Sequence, residues 1–88
     1  MYNRKTMTSN ESDLLARITS QPGVMLGKPT IRGLRITVEQ LVMALAHGLG
    51  EDDLLADYPE LERDDVRAAL LYAGSLVASE RVIDISAA

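Results

Sequence analysis

Apolar positions along the chain divide it into segments of different period. From Thr37 onward, Val38, Leu41, Val42 and Leu45 fall at i, i+3, i+4 and i+7, the stripe of an amphipathic helix. The Thr37 hydroxyl can cap a backbone amide while Gln40, three residues on, reaches back to complete a capping box, with Ile36 and Leu41 in the positions of a hydrophobic staple. Gly48 supplies a left-handed stop, so a helix over Val38 to His47 is predicted. Glu51, Asp52 and Asp53 then place three carboxylates in a first turn, and Pro59 forbids continuation, which predicts a short second helix anchored by Leu54, Leu55 and Tyr58. A third helix is expected after Glu62, with Asp64 and Asp65 in its first turn, Leu61 packing on Val66, and a core stripe of Val66, Leu70, Ala73 and Val77. Gly74 interrupts that stripe and suggests a bend or a close helix approach.

The N-terminal part reads differently. Residues 1–12 show no sustained apolar period and are expected to form a loose, flexible arm. Leu14 to Thr19 is apolar but followed closely by Gln21-Pro22-Gly23, which favours an extended segment, with Ser12 as a candidate cap for a single helical turn. From Val24 to Thr37, the glycines at 27 and 33 and the proline at 29 exclude a regular helix, and Ile31, Leu34 and Ile36 suit short strands or a hairpin. Residues 81–88 form an apolar tail. Three helices joined by short connections match the tri-helical helix-turn-helix pattern, homeodomain-like, behind a short N-terminal β-hairpin or extended segment; small helical bundles share the same lengths. One domain is expected over residues 13–80.

Composition narrows the function classes. The chain of 88 residues is 47% hydrophobic, with three tyrosines and neither phenylalanine nor tryptophan, so its core must be aliphatic and small, and a homodimer is a natural way to complete it. Without cysteine it can form no disulfide, thiolate metal site or cysteine nucleophile. The polar start and the absence of a long apolar run lead us to expect a cytoplasmic protein with no membrane contact. The net charge of −4 conceals an asymmetry. Through Arg35 the chain holds six basic residues against two acidic ones; beyond it, three against eleven. A basic end suits a polyanion and an acidic end suits a basic protein, although an ordinary solvated surface accounts equally well for so modest an imbalance.

The string from Pro22 to Val38, PGVMLGKPTIRGLRITV, resembles the signature of the family known as domain of unknown function 433. The resemblance continues through Gly48, the run LADYPEL (55–61) and the run DVRAALLYA (65–73). It implies a helix-turn-helix fold and a role as the antitoxin of a type II toxin-antitoxin pair, often beside a nuclease-type toxin with a PIN-like domain. With the charge asymmetry, we expect a homodimer that neutralises the toxin through its acidic half and regulates its own operon by binding operator DNA through its basic half. Leu34 stands where threonine is frequent, and Glu62-Arg63 replaces the Thr-Pro that often opens the last helix.

Candidate chemistry is sparse, and no enzyme, cofactor or small-molecule substrate is expected. Lys28, Arg32 and Arg35, in a glycine-bounded hairpin, are candidate nucleic-acid-binding residues. An equally physical alternative has an arginine pairing with Asp57 or Asp65 to fasten the hairpin onto the helices. Asp64 and Asp65 sit where a recognition helix would meet phosphates, which disfavours standard insertion of that helix into DNA. The acidic run Glu51, Asp52, Asp53 and Asp57 reads as compensation of the helix dipole rather than a metal site, and His47 as a helix C-terminal residue rather than a catalyst. Val77, Val82, Ile83 and Ile85 are candidate partner-binding residues, for a toxin or for a second copy of the chain. A stand-alone DNA-binding regulator, or a dimeric interaction module without nucleic acid, are the alternative functions.

Overall fold

The computed structural model describes residues 9–79. Its order is helix α1 (Ser9–Leu15), strand β1 (Ile18–Thr19), a 3-10 turn (Met25–Gly27), strand β2 (Thr30–Ile31), and helices α2 (Val38–Ala46), α3 (Glu51–Asp57) and α4 (Arg63–Ser79). The fold is mainly helical, with α2, α3 and α4 as the helix-turn-helix unit and a small antiparallel sheet in front of it.

The sequence reading fails first at α1. Residues expected to be a loose arm up to Ser12 and an extended strand from Leu14 instead form a helix beginning at Ser9; residues 1–8 of the expected arm lie outside the described residues. Seven residues are too few to hold helical structure alone. Packing supplies what length does not, because α1 lies along α4 and buries Leu14. The helix closes through Arg17 N–H donating to the Leu14 carbonyl, after which the chain is extended as expected, in β1.

Strands β1 and β2 pair antiparallel, Ile18 opposite Ile31 and Thr19 opposite Thr30. Just past β2 the chain reverses in a tight turn, with the Leu34 amide donating to the Ile31 carbonyl. Both central residues of that turn have positive φ, +48° at Arg32 and +74° at Gly33, as in the turns whose twist suits antiparallel strands. The Ile31 amide then bonds the Ile36 carbonyl, and Thr30 bridges to Thr37, delivering the chain to the start of α2.

There the expected capping box is complete. Thr37 Oγ1 accepts from the Gln40 amide at 3.0 Å and Gln40 Oε1 accepts from the Thr37 amide at 2.8 Å. His47 occupies the C-cap of α2, and Gly48 follows at φ +99°, a conformation that side chains rarely adopt. At α3, Asp53 Oδ2 accepts from the Gly50 amide at 2.7 Å, so one of the three acidic residues caps its own helix.

The core is aliphatic and lies between the sheet and the three C-terminal helices: Ile31, Ile36, Val38, Leu41, Leu54, Leu61, Val66 and Ala69. Helix α4 turns a different face inward from the one expected. Its buried residues are Asp65, Val66, Ala68 and Ala69, whereas Leu70 and Val77 are 48% and 69% exposed. The true stripe therefore lies about one residue around the helix from the predicted one, roughly 100°. Two alanines allow α1 and α2 to approach α4 closely, and a charged residue occupies a core position that an apolar-only count passes over. A Cβ added at Gly74 would meet no neighbouring element within 4 Å, so the glycine marks no close approach.

This rotation predicts that Leu41→Ala lowers unfolding free energy by about 3 kcal/mol in urea denaturation, while Leu70→Ala changes it by less than about 0.5 kcal/mol.

Candidate functional site

The buried charge is Asp65, whose side chain is 0% exposed in the first turn of α4. Three donors converge on it from separate elements. Arg32 Nε and Nη2 reach Oδ1 and Oδ2 at 3.0 and 2.9 Å, a two-pronged contact, and Arg17 Nη1 reaches Oδ1 at 2.9 Å. The Glu62 amide donates to Oδ2 at 2.8 Å, so the same carboxylate also caps α4 where the Thr-Pro start is absent. Arg32 Nη2 donates further to the Glu60 carbonyl, and Arg17 Nη1 to Glu62 Oε1, both at 2.7 Å. The backbone closes the same assembly, with the Arg32 amide on the Arg17 carbonyl at 2.7 Å.

Electrostatics follow from this geometry. Burial is the largest influence on the Asp65 carboxyl and pushes its pKa up, but the bonds from Arg32, the Glu62 amide and Arg17 together outweigh it and hold the group below its ordinary value. The arginines move in the opposite sense: Arg17 is raised by its bonds to Glu62 and then Asp65, and Arg32 by its bond to Asp65. A depressed carboxyl pKa stabilises the fold above the unfolded-state pKa, and that contribution is lost as pH falls through the folded-state value.

The hairpin cations thus divide. Arg32 is the fastener that the sequence allowed as an alternative, with Asp65 rather than Asp57 as its partner. Lys28 pairs with Glu39 at 2.9 Å across an exposed surface. Arg35 is exposed and carries no ion pair among the described residues. Because the Arg32 guanidinium is tied to a buried charge, a substitution at Arg32 costs stability as well as any surface contact. Arg17, which the sequence reading left out of the site, lies in α1's exit, and no local pattern in the sequence points it at a residue 48 positions away. The acidic run at α3 also finds partners, since Glu51 and Asp52 hold Arg63 at 2.6 and 2.7 Å. Among the described residues no group of three or more His, Cys, Asp or Glu side chains could hold a metal ion, and no helix is long and apolar enough to cross a membrane.

Among the described residues, α4 contributes to two apolar surfaces. On one flank of α4, Leu70 and Val77 are seven residues apart and share an exposed face. Of the candidate partner-binding residues, Val77 is on that face, and Val82, Ile83 and Ile85 lie outside the described residues. The other surface is a cleft of about 320 Å³ between α2 and α4, walled by Pro29, Val38, Val42, Tyr72, Ala73 and Leu76, with Lys28 and Glu39 at its edge. Leu76 continues the buried stripe of α4 seven residues beyond Ala69, yet is 51% exposed.

The chain resembles known proteins over this same region. The family model described as "Protein of unknown function (DUF433)" matches residues 18–73, which takes in Arg32, Asp65 and the hairpin. An uncharacterized protein, y4eO, from Sinorhizobium fredii is 32% identical over 56 residues, 64% of this chain and 25% of that protein, so the chain spans a quarter of its relative's length. The crystal structure of a DUF433 member protein from Anabaena variabilis superposes with a TM-score of 0.67 at 35% identity, covering 80% of this chain and 70% of the other.

Removing the buried charge by Asp65→Ala is expected to lower unfolding free energy by about 3 kcal/mol, because two guanidinium groups lose their common partner. Breaking the exposed pair by Glu39→Ala should change it by less than about 0.5 kcal/mol. In urea denaturation across pH, wild-type stability should hold near neutrality and fall below about pH 4, with a shallower acid loss in Asp65→Asn; an unchanged acid slope would contradict the ion-pair assignment.

Proposed function

The chain belongs to the DUF433 family, and we propose that it acts as a non-enzymatic antitoxin, a homodimeric helix-turn-helix protein that binds a nuclease-type toxin directly. The observation that carries this reading is the exposed apolar flank of α4. Leu70 and Val77 stand at 48% and 69% exposure on a helix whose opposite side is packed, and apolar residues repeated at helical spacing are the usual anchors by which a helix docks on a partner. Elsewhere on the exposed surface, α3 and its connection to α4 carry the acidic Asp53, Asp57 and Glu60. That sign attracts a nuclease whose own cleft must be basic to hold RNA. In this reading the tail residues Val82, Ile83 and Ile85 extend the toxin contact.

DNA binding by the antitoxin, or by a regulator without a toxin, is favoured by one observation. Arg35 is the hairpin cation left uncommitted, whereas Arg32 is held by Asp65 and the first turn of α4 keeps its acidic Asp64. Contact with operator DNA would run through the hairpin, with the last helix turned elsewhere, and Arg35→Ala should then weaken binding and reduce the salt slope by about one without changing thermal stability.

For the toxin, tagged full-length protein in its native host should co-purify a small nuclease-type protein. The Leu70→Glu/Val77→Glu double variant, both positions being exposed, should stay folded by circular dichroism and lose that protein. Capture that persists in the double variant would remove the α4 flank from the mechanism.

A further inference from the structure

Leu26 is the most exposed large apolar residue among those described, at 92%. It sits at the centre of the 3-10 turn, where three successive residues have positive φ: +49° at Met25, +60° at Leu26 and +79° at Gly27. Only the last is glycine, so two side chains are held in a conformation that L-residues disfavour. The surrounding bonds enforce it: Gly27 N–H donates to the Val24 carbonyl, Lys28 N–H to the Met25 carbonyl, and Ser20 Oγ to the Gly27 carbonyl. A strained turn that presents a leucine to water is not explained by the chain's own core. It is the geometry of a preorganised anchor.

The receptor for such an anchor lies on the same surface. Two and three residues after Leu26, Lys28 and Pro29 form one edge of the cleft between α2 and α4. The cleft is open and apolar, and its rim carries one cation and one anion, Lys28 and Glu39. A uniformly acidic or basic partner would meet a like charge at one of the two. A second copy of this chain, related by a twofold axis, meets both with the opposite sign, Lys28 of each copy facing Glu39 of the other. The exposed internal pair that these residues form holds the single chain together only weakly, so exchanging it across an interface costs little.

We propose that the protein dimerises by reciprocal insertion of Leu26 from each copy into the α2–α4 cleft of the other. The inference specifies the interface of the homodimer named above and rests on that part of the reading. Of its α4 residues, Tyr72 and Leu76 lie on a different face from Leu70 and Val77, and neither Leu70 nor Val77 lines the cleft.

Sedimentation equilibrium on the full-length chain tests it. Wild type should show a monomer–dimer equilibrium, and Leu26→Gly should weaken it at least about tenfold, the equivalent of about 1.4 kcal/mol. Because glycine accepts this backbone conformation more readily than leucine, the variant should keep its circular dichroism spectrum and, at dilutions where both proteins are monomeric, its melting temperature. Ala73→Phe, which fills the cleft and leaves the turn intact, should weaken dimerisation likewise. Mixed Leu26→Gly and Ala73→Phe chains should associate more tightly than either alone, since one sound anchor then meets one sound cleft. A wild-type chain that stays monomeric at high concentration overturns the proposal together with the homodimer. A wild-type dimer whose Kd moves by less than about twofold in both variants overturns this interface alone.

Discussion

A carboxylate without access to water cannot remain charged in a protein interior unless its oxygens are occupied by strong donors. At Asp65 the occupants are Arg32 from the hairpin turn, Arg17 from the exit of α1, and the Glu62 amide at the start of α4. Both arginines come from elements that would otherwise be weakly attached. Helix α1 has seven residues, the two strands have two residues each, and none of these holds its shape alone. A single buried charge thus fixes the position of the N-terminal third against the helix-turn-helix unit. It also fixes the register of α4, because turning Asp65 inward turns Leu70 and Val77 outward.

That coupling shows why some of the structure was legible in the sequence and some was not. Local signals read well: the Thr37–Gln40 box, the stop at Gly48, the acidic start of α3 and its end before Pro59 all depend on neighbours within a few positions. Leu54 and Leu41 were correctly placed in the core for the same reason. Helix α1 was misread because its stability comes from packing on α4, which is remote in sequence. The stripe of α4 was misread because a buried aspartate counts as polar until its partners are known. For the candidate site, pairing of Arg32 with Asp65 was among the alternatives the sequence allowed, but nothing in the sequence decided between a phosphate and a carboxylate as its ligand. The participation of Arg17 and the strained exposure of Leu26 depend on backbone geometry that composition does not encode.

The charge asymmetry takes on a different meaning once the pairs are known. Arg17, Lys28 and Arg32 make up half of the basic side chains through Arg35, and all three are committed to carboxylates of the other half. Much of the apparent polarity of the chain is internal adhesion. Among the features the described surface presents are Leu26, the Leu70 and Val77 flank, the α2–α4 cleft, and the carboxylates Asp53, Asp57 and Glu60 of α3 and its connection to α4. Those features are the ones on which the proposed protein partnership rests, and Arg35 is the hairpin cation without an ion pair among the described residues.

The central claim is that Asp65 and Arg32 act as one energetic unit, and a double-mutant cycle measures that directly. Urea unfolding of wild type, Asp65→Asn, Arg32→Gln and the double variant should give a coupling free energy of at least about 1.5 kcal/mol, within the range of partners sharing a hydrogen-bonded network. Coupling near zero, with additive losses, would mean that the two residues contribute independently and that the hairpin is held to the helices by something else.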